Sequence, residues 1–245
     1  MEGKVQPMGF AAHASRPAVR PLLVLGYLSQ PDPKLAEAAA SEKVDACLIT
    51  PGQGAKSKKA LESTIKALGQ VPWGLVLQGG EPETVAGLRE MGCDFLVVTL
   101  DSLASPVLRQ EEMSLVLQLG VDLPDALAQA TGELPIDAVL VPDSASLSLK
   151  QWLLLRRLCQ FSGQPLFLPA PQPATKEDLE ALWEAGVRGI LVDMDKEGAQ
   201  EYLREMAKTL ETVEAAPKKP RERRTALLPA VSGGLAAEEE EEEPE

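Results

Sequence analysis

The sequence predicts an α/β chain folded as a closed (β/α)8 TIM barrel with a disordered charged tail, and three observations carry that prediction. Short apolar runs alternate with helix-patterned segments eight times between residues 21 and 213. The runs are apolar throughout rather than at every second position, which marks strands covered on both faces of a parallel sheet. They also resemble one another in pairs. Even-numbered strands open with Val44-Asp45-Ala46, Cys93-Asp94-Phe95, Ile136-Asp137-Ala138 and Val187-Arg188-Gly189. Strands three and five share Leu75-Val76-Leu77-Gln78 and Leu115-Val116-Leu117-Gln118. The repeating unit is therefore a pair of strand–helix modules used four times, as expected of a barrel whose interior layers draw on alternate strands. An open doubly wound sheet is the competing arrangement, and eight units favour closure.

The elements follow in order along the chain. The first strand is expected at Leu22–Tyr27, with its helix at Pro33–Lys43. The second strand spans Asp45–Thr50 and leads to a helix at Lys56–Leu68. Strand three covers Trp73–Gln78, with a helix at Pro82–Met91, and strand four covers Asp94–Leu100. The helix that follows, within Ser102–Glu112, is interrupted by Pro106. Strand five is Met113–Leu119, with a helix at Leu123–Thr131. Strand six is Asp137–Val141, with a helix at Leu147–Phe161. Strand seven is Pro165–Leu168, and Thr175 followed by Lys176-Glu177-Asp178 signals the start of its helix, which runs to Ala185. Strand eight is Gly189–Asp193, and the last helix runs from Gly198 to Val213. Residues 1–20 read as a flexible arm, 21–213 as the barrel and 214–245 as the tail. The barrel's 193 residues fall short of the usual ~250, so its loops are expected to be short.

Composition narrows the partners. The chain carries −13; residues 1–20 contribute +2 and residues 214–245 contribute −4, leaving −11 on the folded part. An acidic surface of that kind repels phosphate backbones and anionic lipids, so neither nucleic acid nor membrane is an expected partner. No apolar stretch reaches the roughly 20 residues of a membrane span, and the first 20 residues lack the apolar core of a secretory signal. Cys47, Cys93 and Cys159 show no metal-ligand or CxxC spacing, which reads as reduced thiols in a cytoplasmic setting. The tail, with its basic block Lys218–Arg224 and its run Glu238–Glu243, has too little apolar area to offset the entropy of ordering.

In this fold, reacting groups stand at the carboxyl ends of the strands. His13, the single histidine, lies in the arm, no lysine lies within a strand, and there is neither a P-loop nor a GxGxxG fingerprint. What the strand ends offer is carboxylates and amides. Asp101, Asp143 and Asp193 are the catalytic candidates, while Tyr27, Thr50, Gln78, Glu81 and Gln118 are the ligand-binding candidates; Asp195 stands beside them. Two readings of the acids remain open. Convergent carboxylates can hold a divalent cation or serve as a general base. Equally, Asp101 and Asp143 stand just before helical segments, where an aspartate caps free N–H groups.

The stretch Gln164–Asp193 resembles the last third of the phosphate-binding barrel enzymes, which include thiamine-phosphate synthases, indole-glycerol-phosphate synthases and FMN-dependent nitronate monooxygenase-like proteins. The resemblance rests on Pro165-Leu166-Phe167-Leu168, on Thr175-Lys176-Glu177-Asp178-Leu179, and on Glu184-Ala185-Gly186-Val187-Arg188-Gly189-Ile190-Leu191-Val192. It implies a (β/α)8 barrel that holds phosphate on glycine-rich loops after strands seven and eight. Here the seventh loop has Pro169, Pro171 and Pro173, which carry no N–H, and the eighth is Asp193-Met194-Asp195. Like charges about 4 Å apart repel by roughly 4 kcal/mol at an effective dielectric near 20. The phosphate loops are therefore read as lost, and FMN is disfavoured as a cofactor.

Two functions compete. One is a barrel derived from a small-molecule enzyme, whose acidic mouth takes a small molecule or a divalent cation. The other is a catalytically inactive barrel that binds protein partners through its surface and charged tail.

Overall fold

The computed structural model describes residues 21–52, 55–77, 82–101, 113–142 and 147–213. All lie in the first of two units into which the chain divides, Met1–Ala215 and Ala216–Glu245. Eight parallel strands close in sequence order, and β1 pairs with β8, which rules out the open sheet. They are β1 (Leu23–Leu28), β2 (Ala46–Ile49), β3 (Trp73–Val76), β4 (Phe95–Thr99), β5 (Ser114–Gln118), β6 (Ala138–Leu140), β7 (Leu166–Pro169) and β8 (Val187–Asp193). The described helices are α1 (Pro33–Ser41), α2 (Ala55–Leu68), α3 (Pro82–Glu90), α4 (Asp125–Thr131), α5 (Leu149–Ser162), α6 (Lys176–Ala185) and α7 (Ala199–Thr212). The helix expected within Ser102–Glu112 lies outside the described residues, as do the arm and the tail.

The motif that repeats at the even strands has a structural cause. Asp45 Oδ2 accepts from the Val24 amide at 2.8 Å, Asp94 Oδ2 from Trp73 at 2.9 Å, and Asp137 Oδ2 from Leu115 at 2.9 Å. In return the amides of Asp45, Asp94 and Asp137 donate to the carbonyls of Val24, Trp73 and Leu115 at 2.8, 2.9 and 2.8 Å. Each acid thus clips the start of its own strand to the start of the odd strand before it. A short carboxylate suits the task because the early amides of an odd strand extend past the beginning of its neighbour and lack a ladder acceptor. The fourth pair has no such clip. Arg188 stands in the acid's place, donates to the carbonyls of Trp183 (2.9 Å) and Val187 (2.6 Å), and lies 5.0 Å from the centroid of the Trp183 ring. The β7–β8 ladder is also the one whose register shifts, between Leu166 and Phe167.

Local signals set the helix ends. Asp32 caps α1 by accepting from Lys34 at 2.8 Å, with Pro33 in the first turn. Ser148 caps α5, and Thr175 with Asp178 forms a capping box on α6. Helix α1 stops two residues short of the expected Lys43, because Lys43 adopts a left-handed φ of 56°. Strand β8 starts two residues before the expected Gly189, since Val187 already pairs with Leu166.

The core has two layers. Outside the barrel wall, the helices bury leucines such as Leu155, Leu179, Leu182 and Leu203 against the strands. Inside the wall, Leu25, Leu48, Val97, Val116, Leu140 and Leu191 fill the barrel, with Phe95 and Phe167 packed beside them. These two rings lie across glycines on neighbouring strands. A Cβ on Gly74 would come within 2.3 Å of the Phe95 ring, and one on Gly189 within 2.6 Å of the Phe167 ring.

Stability outcomes follow at three sites, all measurable by urea unfolding. Asp94→Ala strips the acceptor from the Trp73 amide and is expected to cost about 1–3 kcal/mol, whereas Asp94→Asn, which keeps an acceptor, costs less. Gly74→Ala drives a methyl into the Phe95 ring and is expected to cost about 1–3 kcal/mol. By contrast Gly87→Ala, in α3 with open space around it, should gain about 0.5–1 kcal/mol.

Candidate functional site

The carboxyl ends of the strands open onto a cavity of about 870 Å³. Tyr27, Thr50, Asp101, Gln118 and Asp193, all picked out from the sequence, line it together. They come from five different strand ends: β1, β2, β4, β5 and β8. Below them the wall is apolar, with Leu48, Val76, Leu140 and Leu191. Gln78, Glu81 and Asp143 lie outside the described residues.

Each described polar group has a distinct state. The Tyr27 hydroxyl and Thr50 Oγ1 are 3.1 Å apart and share one hydrogen bond. Asp193 Oδ1 accepts from the Asp195 amide at 3.1 Å, and its Oδ2 stands 4.0 Å from Lys196 Nζ. Asp195 turns away from the cavity, and its Oδ2 accepts from the Ser29 amide at 2.7 Å. It therefore ties the loop after β8 to the loop after β1. Asp101 is exposed, and among the described residues neither it nor the half-buried Gln118 side chain has a hydrogen-bond or ion-pair partner. The capping reading of Asp101 concerns residues that follow it and lie outside the described set.

Lys196 is the cavity residue that sequence reasoning missed. No strand carries a lysine, and Lys196 stands three residues beyond the end of β8. Its signal was present in the sequence: a cation spaced i,i+3 from Asp193 folds back over the same strand end. It also changes the charge balance at the eighth loop, where Asp193 and Asp195 alone were expected to set it.

The described acids do not gather into a metal site, and Glu81 and Asp143 stand outside the described residues. Among the described residues no three His, Cys, Asp or Glu side chains converge. Asp101 and Asp193 end strands on opposite sides of an eight-stranded barrel, and the acid on β8 already faces an ammonium. A phosphate-bearing cofactor fits no better. At the seventh loop three prolines offer no amide, and the Ala170 amide is bonded to the Leu191 carbonyl at 2.8 Å. The start of α6 is closed by its own capping box. Tyr202 donates its hydroxyl to the Pro171 carbonyl and so pins this loop to α7; burial pushes its pKa up to about 12.

No thiol serves the site. Cys47 and Cys93 are buried in the wall, and burial pushes both thiols up to about 12. Cys159 is half-buried against Gly186, its pKa raised by the same cause.

No family model matches the sequence, and no curated protein does. Solved structures do match in fold. A mutant tryptophan synthase alpha-subunit from Pyrococcus furiosus superposes with a TM-score of 0.60 at 16% identity, over 79% of this chain and 99% of that one. The Pyrococcus furiosus tryptophan synthase α2β2 complex gives 0.58 at 16% identity, again over 79% and 99%. The thiamine phosphate pyrophosphorylase from the same organism gives 0.57 at 12% identity, over 79% and 97%. The chain therefore has the (β/α)8 architecture that its closing segment resembled, and at these identities the likeness is one of fold.

Burial of the two wall thiols makes a pH-dependent outcome measurable. The unfolded chain releases these protons near pH 8.5, while the folded chain keeps them to about 12. The folded state holds more protons across that window, so stability should fall as pH rises through it. Urea midpoints between pH 8 and 11 check this, and Cys47→Ala with Cys93→Ala should flatten the slope. A thiol reagent at pH 8 should modify Cys47 and Cys93 only on unfolding.

Proposed function

We propose that the barrel is an enzyme-type scaffold whose mouth binds a small, non-phosphorylated organic molecule. The observation that carries this reading is the convergence of Tyr27, Thr50, Asp101, Gln118 and Asp193 on one cavity of about 870 Å³. That volume falls in the range of small-molecule pockets, and an apolar wall with a few polar groups at the rim is their usual chemistry. The fold shared with tryptophan synthase alpha-subunits and a thiamine phosphate pyrophosphorylase supports an enzyme ancestry. The spent amides and prolines of the seventh loop speak against a phosphate handle, and the opposed acids speak against a divalent cation. The groups to hand support hydrogen bonding and proton transfer. Asp193 and Lys196, within 4.0 Å of each other, are the pair best placed to move a proton.

Thermal unfolding of the full chain against a panel of metabolites tests this. A ligand present at about 100 times its Kd adds roughly 2.7 kcal/mol, a shift of several degrees for a domain of this size. A neutral or charged organic molecule should raise the midpoint, and Gln118→Ala should abolish the rise. Mg²⁺, FMN and sugar phosphates should leave it unmoved. If nothing in a broad panel moves it, the small-molecule reading falls and the interaction-module reading takes its place.

A further inference from the structure

The described polar groups of the mouth divide by side, and this inference deepens the reading of the mouth as a ligand site. Lys196, Tyr27 and Thr50 follow β8, β1 and β2, three neighbouring strands. Asp101 and Gln118 follow β4 and β5. In a closed barrel of eight strands in sequence order, β4 stands opposite β8 and β5 opposite β1. Among the described residues the Lys196 ammonium therefore stands on one side, with the Tyr27–Thr50 hydroxyls, and the Asp101 carboxylate on the other, with Thr99 and Gln118.

Open valences sharpen the contrast. On the first side Lys196 makes a single long contact, 4.0 Å to Asp193, and keeps N–H groups to spare. The Tyr27–Thr50 pair uses one hydroxyl proton between them and leaves the other free to donate outward. The Asp193 carboxylate adds little negative character there, because one oxygen takes the Asp195 amide and the other faces the ammonium. On the second side the Asp101 carboxylate and the Gln118 amide have no partner among the described residues. Between the two sides lies apolar surface from Leu48, Val76 and Leu140.

We propose that the mouth takes an extended zwitterion, with its carboxylate against Lys196 and the Tyr27–Thr50 hydroxyls, its ammonium against Asp101 and Gln118, and an aliphatic stem over the apolar wall. The span sets the length. Strands about 4.8 Å apart, tilted by roughly 36°, close eight-fold into a barrel about 15 Å between opposed backbones. A ligand that meets Lys196 and Asp101 together must span part of that ~15 Å. Adjacent amine and carboxylate groups, as in glycine, cannot reach both. An ω-amino acid or a short dipeptide can.

Isothermal titration calorimetry of the full chain with ε-aminohexanoate, hexanoate, hexylamine and glycine tests this. ε-Aminohexanoate should bind about tenfold more tightly than hexanoate or hexylamine, and glycine should give no heat. Asp101→Asn should bring ε-aminohexanoate down to the affinity of hexanoate while leaving hexanoate unchanged. Lys196→Met should bring it down to that of hexylamine. Hexanoate or hexylamine binding as tightly as the zwitterion overturns the proposal, as does zwitterion binding that neither variant alters. If a hexose or a nucleoside binds in a manner lost in Gln118→Ala while the zwitterions do not bind, the proposal fails and the mouth remains a ligand site. If no compound of any class binds, both readings fail together.

Discussion

Three carboxylate-to-amide clips, Asp45 to Val24, Asp94 to Trp73 and Asp137 to Leu115, hold this barrel in register at its amino-terminal rim. In a parallel sheet a slip of one residue turns every side chain to the other face, so whatever fixes register also fixes which residues face the mouth. The clips set the starts of β1, β3 and β5 against β2, β4 and β6. With those starts fixed, Tyr27, Thr50, Thr99 and Gln118 all come up on the inner face at the opposite rim. Stability at one end of the barrel and the lining of the cavity at the other are thus two ends of the same strands. The fourth pair has no clip. Arg188 spends its donors on its own segment, and the β7–β8 ladder slips at Leu166–Phe167.

Much of this was legible in the sequence, because burial on both faces leaves an unmistakable run of apolar residues. All eight strands lie where such runs stand, and α6 begins and ends at the residues its capping signals and its glycine mark. Strand bounds were less legible. An apolar run does not show where ladder bonding stops: Leu77 still donates to Val97 at 2.8 Å although β3 ends at Val76. The paired motifs were visible as a repeat, yet their meaning was not. A carboxylate reaching 21 or 22 residues back along the chain leaves no local trace, and only the fold brings donor and acceptor together.

The site divided along similar lines. Side chains that stand on strands inherit their direction from the two-residue alternation, so Tyr27 and Gln118 could be placed from position alone. Residues on the loops could not. Asp195, two positions beyond the end of β8, binds the Ser29 amide instead of lining the cavity that Asp193 lines. Lys196 escaped notice for the same reason, since its approach to Asp193 depends on the turn between them.

The rings of Phe95 and Phe167 over Gly74 and Gly189 give the barrel interior a floor. With Leu25, Val97, Val116 and Leu191 packed beside them, the axis is solid beneath the mouth rather than a through-passage. The cavity is a cup with one door. Whatever enters between the rim loops must leave the same way, so an incoming molecule and the one it replaces compete for a single path.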